Sequence, residues 1–177
     1  MKKYFSILLV ALLSISVASN IIFINLNRQL NIRIEQCDQR FLSSVSFAIR
    51  HTELHLREFI YNHEQESLAK AVYHLSEIQR LLDYRGIAVF GVQHNYWQPA
   101  LRFDFLGDAL LHGDYDMEIN INAVFDDGLV DENALYFLTY LNYGLLNILQ
   151  IHFASVEILK EQLNNFHAYL FLFELYQ

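Results

Sequence analysis

The sequence predicts an all-α protein in which an N-terminal transmembrane helix continues into an antiparallel helical bundle of four to six helices. Three observations carry that prediction. No charged residue occurs between Lys3 and Arg28, and neither glycine nor proline occurs from Met1 to Arg85, so nothing encoded there breaks a helix. Beyond Arg28 the apolar residues recur at intervals of three and four, the spacing of one helical face.

The first element is residues 4–26, which at about 1.5 Å per residue reach roughly 35 Å, enough for a hydrocarbon core of about 30 Å with some tilt. Its polar side chains are small: Ser6, Ser14, Ser16, Ser19, Asn20 and Asn25. Serine hydroxyls bond back to the carbonyl one turn earlier and are tolerated in a spanning helix far better than charges. Lys2 and Lys3 predict a cytoplasmic tail at 1–3, a signal anchor at 4–27 and a single exported helical domain at 28–177, although Arg28 and Arg33 weaken the charge asymmetry. The alternative is secretion after cleavage near Ser19, where Val17-Ala18-Ser19 offers a small-residue site. The apolar run continues past it through Ile21, Ile22, Phe23, Ile24 and Leu26, which favours the uncleaved anchor.

All 20 acidic residues lie at or beyond Glu35 and only Lys2 and Lys3 of the 12 basic residues precede Arg28, so the exported segment has a formal charge of −10. Such a surface repels nucleic acid and anionic headgroups, which disfavours DNA or RNA as a partner. Cys37 is the only cysteine, so no internal disulfide holds the fold. It is expected as a small buried hydrophobe, with a cross-link between two parallel copies as the other option.

In the exported segment, Leu30, Ile34, Cys37, Phe41, Val45, Ala48, Thr52, His55 and Phe59 form one helical face, widened by Leu42, Ile49, Leu56 and Ile60. Asn62 and Gln65 are spaced as a capping box, so the chain turns there into a second helix that ends near Tyr84 at Gly86. Leu68, Val72, Leu75, Ile78 and Leu82 are its inward positions. A minor β element is allowed at 87–92 or at 116–122, with helix preferred for the latter. Pro99 suits the first turn of a short helix ending at Gly113. Asp131 caps a helix over 132–153, and Val156, Leu159, Leu163, Phe166, Leu170 and Phe173 mark the last one. The 132–153 helix is apolar nearly all round, but Thr139, Asn142, Asn147, Gln150 and His152 favour a buried central helix over a second span.

Candidate chemistry is sparse. His51 and His55 are four apart and could ligate one metal ion from one helix face, with Glu58 a turn further on. The order His-Thr-Glu-Leu-His is not the metalloprotease pattern, and a hydrogen-bonded core or boundary histidine is the preferred reading of the pair over a metal ligand. The second candidate is acidic: from 103 to 159 there is no lysine or arginine, and Asp114, Asp116 and Glu118 are followed by Asp126 and Asp127. Oxygen-rich loops suit calcium, but placing Gly128 at the turn of an EF-hand puts Ala123, Phe125 and Ala134 at ligand positions, and the match fails. No nucleophile elbow or phosphate-binding glycine loop occurs, and no cofactor is expected. The sequence therefore points to a membrane-anchored extracytoplasmic module that binds an unidentified protein partner or small ligand without catalysis. The alternatives are a metal-dependent enzyme or divalent-metal-binding protein using 104–132, and a homo-oligomeric structural component.

Overall fold

A computed structural model of the chain describes the backbone of residues 2–88, 102–113, 123–126 and 129–174, and side chains from Leu12 onward within those ranges except 84–88, 126, 171, 173 and 174. The described elements are α1 (Lys2–Asn62), α2 (Gln65–Ala88), α3 (Phe103–His112), β1 (Phe125–Asp126), β2 (Leu129–Val130), α4 (Glu132–Leu149) and α5 (Val156–Glu174). The all-helical expectation holds, apart from one small hairpin. The chain divides into two compact units, Met1–Arg40 and Phe41–Gln177.

The first unit is a single helix. From Leu12 to Leu26 its large apolar side chains are 54% to 63% exposed. Among the described residues no helix is long and apolar enough to cross a membrane, so the span expected at 4–27 is not established by the fold. Cys37 is exposed, not buried as the sequence suggested. Among the described residues its stripe is left uncovered, and Leu30 and Ile34 are exposed with it.

In the second unit the stripe goes inside. Leu42, Val45, Ala48, Ile49, Leu56 and Phe59 are buried, and the Thr52 hydroxyl among them donates to the Ala48 carbonyl at 2.9 Å, which satisfies it one turn back. The chain reverses at His63, whose φ of 56° breaks the helix after Asn62. α2 returns antiparallel, with Leu68, Leu75 and Ile78 fully buried. It continues to Ala88, through Gly86 and across the first part of the possible strand at 87–92. Interior glycine costs a helix only about 1 kcal/mol, so Gly86 weakens the helix without ending it.

Gln79 joins α2 to α3. Its Oε1 accepts from the Phe103 amide at 3.1 Å and its Nε2 donates to Asp83 at 2.9 Å, so a buried amide side chain is satisfied while it fills an open first-turn donor of α3. α3 is described from Phe103, while Pro99, expected in its first turn, lies outside the described residues; its end at Gly113, with φ 73°, is as expected. The segment 116–122 lies outside the described residues. β1 and β2 pair antiparallel, Phe125 opposite Val130, around Asp127-Gly128, a dipeptide strongly preferred in tight hairpins. The Val124 amide donates to Leu110 and the Asp131 amide to Val124, both at 3.0 Å, which ties α3 through the hairpin to α4.

Asp131 caps α4 as expected, accepting from the Ala134 amide at 2.7 Å. α4 ends at Leu149, short of Phe153, and its face with Phe137, Leu138, Leu141 and Leu145 is buried. α5 packs on it through Gly144: a Cβ there would lie 2.6 Å from Phe166 Cε2, so only glycine admits that close approach. Tyr140 and Tyr169 stack with centroids 4.1 Å apart, and each hydroxyl donates to the other's carbonyl, at 2.8 and 3.3 Å. Burial followed by the Tyr140 contact pushes the Tyr169 phenol well above its ordinary pKa, so it stays a donor at any working pH.

Candidate metal centre

The turn at His63 fixes which residues of α1 and α2 face each other. His51 lies 11 positions before Asn62, and His74 lies nine after Gln65; the antiparallel return therefore brings His74 beside the His51 and His55 pair. The rings of His51 and His74 are 5.1 Å apart, and those of His55 and His74 are stacked at 5.7 Å. One ring nitrogen from each of the three histidines lies within 4.8 Å of the others. Around a tetrahedral ion with metal–nitrogen bonds of about 2.0–2.1 Å, such nitrogens are about 3.4 Å apart. To share one ion, nitrogens up to 4.8 Å apart must therefore approach by about 1.4 Å.

Two carboxylates set the rings. Glu58 lies 2.8 Å from Nδ1 of His55, and Glu77 lies 3.0 Å from Nδ1 of His74, each one helical turn on from its histidine. An ionised carboxylate only accepts, so Nδ1 donates in both pairs, and in a neutral ring that arrangement leaves the Nε2 lone pair for a ligand. Histidine ligands held by a carboxylate in this way are the usual outer arrangement of protein metal sites. The Phe47 ring, 4.1 Å from that of His51, and the edge of Tyr73, 5.2 Å from that of His74, form apolar walls. His55 and His74 are 16% and 15% exposed at the side chain, which shields them while leaving a solvent-facing position.

The donor set selects the ion class. Three imidazoles suit zinc and neighbouring late transition metals and do not suit calcium or magnesium, which require oxygen. Two outer carboxylates offset the charge of a divalent ion bound by neutral rings. A three-histidine set leaves a fourth position for water or an outside ligand.

Of the residues singled out from the sequence, His51 and His55 come together here, and His74 is the member that sequence spacing did not reveal. Glu58 serves the cluster as a partner of His55. Asp114, Asp116, Glu118 and Asp127 lie outside the described residues, and only the backbone of Asp126 is described, in β1. Within the rest of the 104–132 segment, Asp108 faces solvent and Asp104 is engaged by Arg102, at 2.7 and 3.1 Å. Burial disfavours the charge of Asp104, but the bonds from Arg102 and the Phe105 amide outweigh it and hold the carboxyl below its usual range. A separate cleft of about 130 Å³ between α4 and α5, lined by Gly144, Asn147, Gln162 and Asn165 among others, holds none of the clustered histidines and is smaller than the roughly 300 Å³ of a typical small-molecule site. No protein-family model, no curated protein and no solved structure matches this chain.

Proposed function

We propose that this protein is a membrane-anchored module whose extracytoplasmic helical unit binds a divalent transition-metal ion at His51, His55 and His74, in a sensing or interaction role without catalysis. The observation that carries the reading is the convergence of three imidazoles from two helices, two of them backed by carboxylates. Bridging α1 to α2, the ion adds its binding free energy to the hairpin, so occupancy stiffens the surface a partner protein would meet. Because a ligating imidazole must be neutral, protons compete with the ion and acidification weakens binding.

The tether rests on the uncharged run from Tyr4 to Asn27, on its helical backbone and on its exposed apolar side chains. Lys2 and Lys3 would keep the N-terminus in the cytoplasm. The open fourth position supports a second reading, metal-activated water in an enzyme. That reading needs a substrate cleft beside the histidines.

Calorimetric titration of the full chain in detergent with zinc tests the proposal. One ion per chain is expected, with binding weakened at least 100-fold in His74→Ala and unchanged in His167→Ala. Absence of binding, or equal binding in His74→Ala, overturns it. The tether is read separately: the chain stays with membranes through an alkaline carbonate wash, and release into the supernatant removes it.

A further inference from the structure

The cleft between α4 and α5 has a chemistry of its own, independent of the histidines. Tyr140 stacks on Tyr169 and Gly144 meets Phe166, so the two helices run antiparallel and Asn147 of α4 comes opposite Gln162 and Asn165 of α5. Buried Ile148 and Phe166, with Gly144 between them, make an apolar floor. Asn147 and Asn165, both exposed, and half-buried Gln162 form a rim of three carboxamides.

The lining selects its ligand in three ways. No Asp, Glu, Lys or Arg lines the cleft, and none occurs from 133 to 156, so a charged ligand leaving water would meet no countercharge. Each carboxamide both donates and accepts, and among the described residues none of the three side chains is spent on a hydrogen bond within the protein. The cleft of about 130 Å³ is close to the roughly 150 Å³ of a cavity that admits benzene, which is room for one six-membered ring.

A peptide crossing so small a volume places one side chain in it, with one or two polar groups for three amides. A pyranose carries hydroxyls, each donor and acceptor, around its edge and C–H groups on its faces, and so answers the rim and the floor together. The wall at Tyr169 is fixed beforehand, because its ring is stacked on Tyr140 and both hydroxyls are tied to backbone carbonyls. Beyond the cleft, Tyr143 and Tyr136 continue the uncharged face of α4 and are 59% and 65% exposed, which gives neighbouring units of a chain further ring surface.

We propose that the α4–α5 cleft binds one pyranose unit of a neutral oligosaccharide, its hydroxyls bonded by Asn147, Gln162 and Asn165.

Saturation-transfer NMR of the full chain, in a detergent without a sugar headgroup, tests this. The probes are maltotetraose, cellotetraose and chitotetraose, with an anionic hyaluronan tetrasaccharide and tetra-alanine for comparison. At least one neutral sugar is expected to bind, with saturation strongest on a single ring. Gln162→Ala and Asn147→Asp are each expected to weaken that binding at least tenfold. The second keeps the shape of the side chain and removes its donor, and thermal melts of both variants should match wild type because both positions lie at the rim. Absence of binding by all three neutral sugars, equal binding in both variants, or tighter binding of hyaluronan or the peptide overturns the proposal. His74→Ala should bind the sugar as wild type does, so loss of the metal site and loss of this site are read separately.

Discussion

Replacing Glu77 by glutamine keeps the shape of the side chain and removes the negative charge that orients His74. The carboxylate sits 3.0 Å from Nδ1 of His74, with Arg80 3.8 Å away on its other oxygen. Glutamine can still accept a hydrogen bond, but it no longer offsets the charge of a bound cation. Losing such an outer partner lowers metal affinity about 10- to 100-fold, or roughly 1.4–2.7 kcal/mol. The structure ranks two such variants. Glu77 is 24% exposed at the side chain and Glu58 is 44% exposed, so water screens the Glu58–His55 pair more, and Glu58→Gln should sit at the lower end of that range. Competition against a chromophoric zinc chelator measures both affinities, with a thermal melt of each metal-free variant alongside. The metal-free melts should stay within about 0.5 kcal/mol of wild type, because both residues lie near the surface. If both variants bind zinc as tightly as wild type, the carboxylates are only local ion pairs and the reasoning about ring orientation fails.

Other predictions concern the scaffold. Gly144→Ala puts a methyl 2.6 Å from Phe166 and 2.8 Å from Tyr169, so the α4–α5 contact must open; a loss of about 1–3 kcal/mol is expected in urea melts, and an unchanged midpoint would contradict the packing. Asn142 is buried, and its Oδ1 has no hydrogen-bond partner among the described residues, so Asn142→Leu should be neutral or stabilising by about 1 kcal/mol, measured the same way. Asp104 is held below its usual pKa by Arg102, so its contribution is present above the ordinary carboxylate value near pH 4 and fades as pH falls through the depressed one. The stability gap between wild type and Asp104→Asn should therefore shrink on acidification in a pH series of melts; a gap that widens would reverse the assignment.

Periodicity made most of the helices legible, because burial against a common core imposes it on the sequence. Leu68, Leu75 and Ile78 in α2 and Leu159, Leu163 and Leu170 in α5 are buried at the expected spacing. Where no described element covers a stripe, the same spacing misleads, as at Cys37. Helix ends were harder: α2 passes Gly86, since a single breaker residue shifts the balance by only about 1 kcal/mol, and α4 stops before Phe153 with no glycine or proline to mark its end. The hairpin of β1 and β2 is not legible from alternation, because two-residue strands show none; its sequence sign is the turn dipeptide Asp127-Gly128. His51 and His55 were visible as an i,i+4 pair. His74 was not, since its closeness depends on the position of a turn. Counting outward from that turn places His51 and His74 at almost matching distances, and that mirrored count is the signal that could have found it.

The central claim is that one metal ion is held by imidazoles from α1 and α2. X-ray absorption at the zinc edge of the loaded protein measures this directly. Three imidazole shells at about 2.0–2.1 Å are expected, falling to two in His74→Ala. A spectrum of oxygen ligands alone, or one that His74→Ala leaves unchanged, would contradict the account.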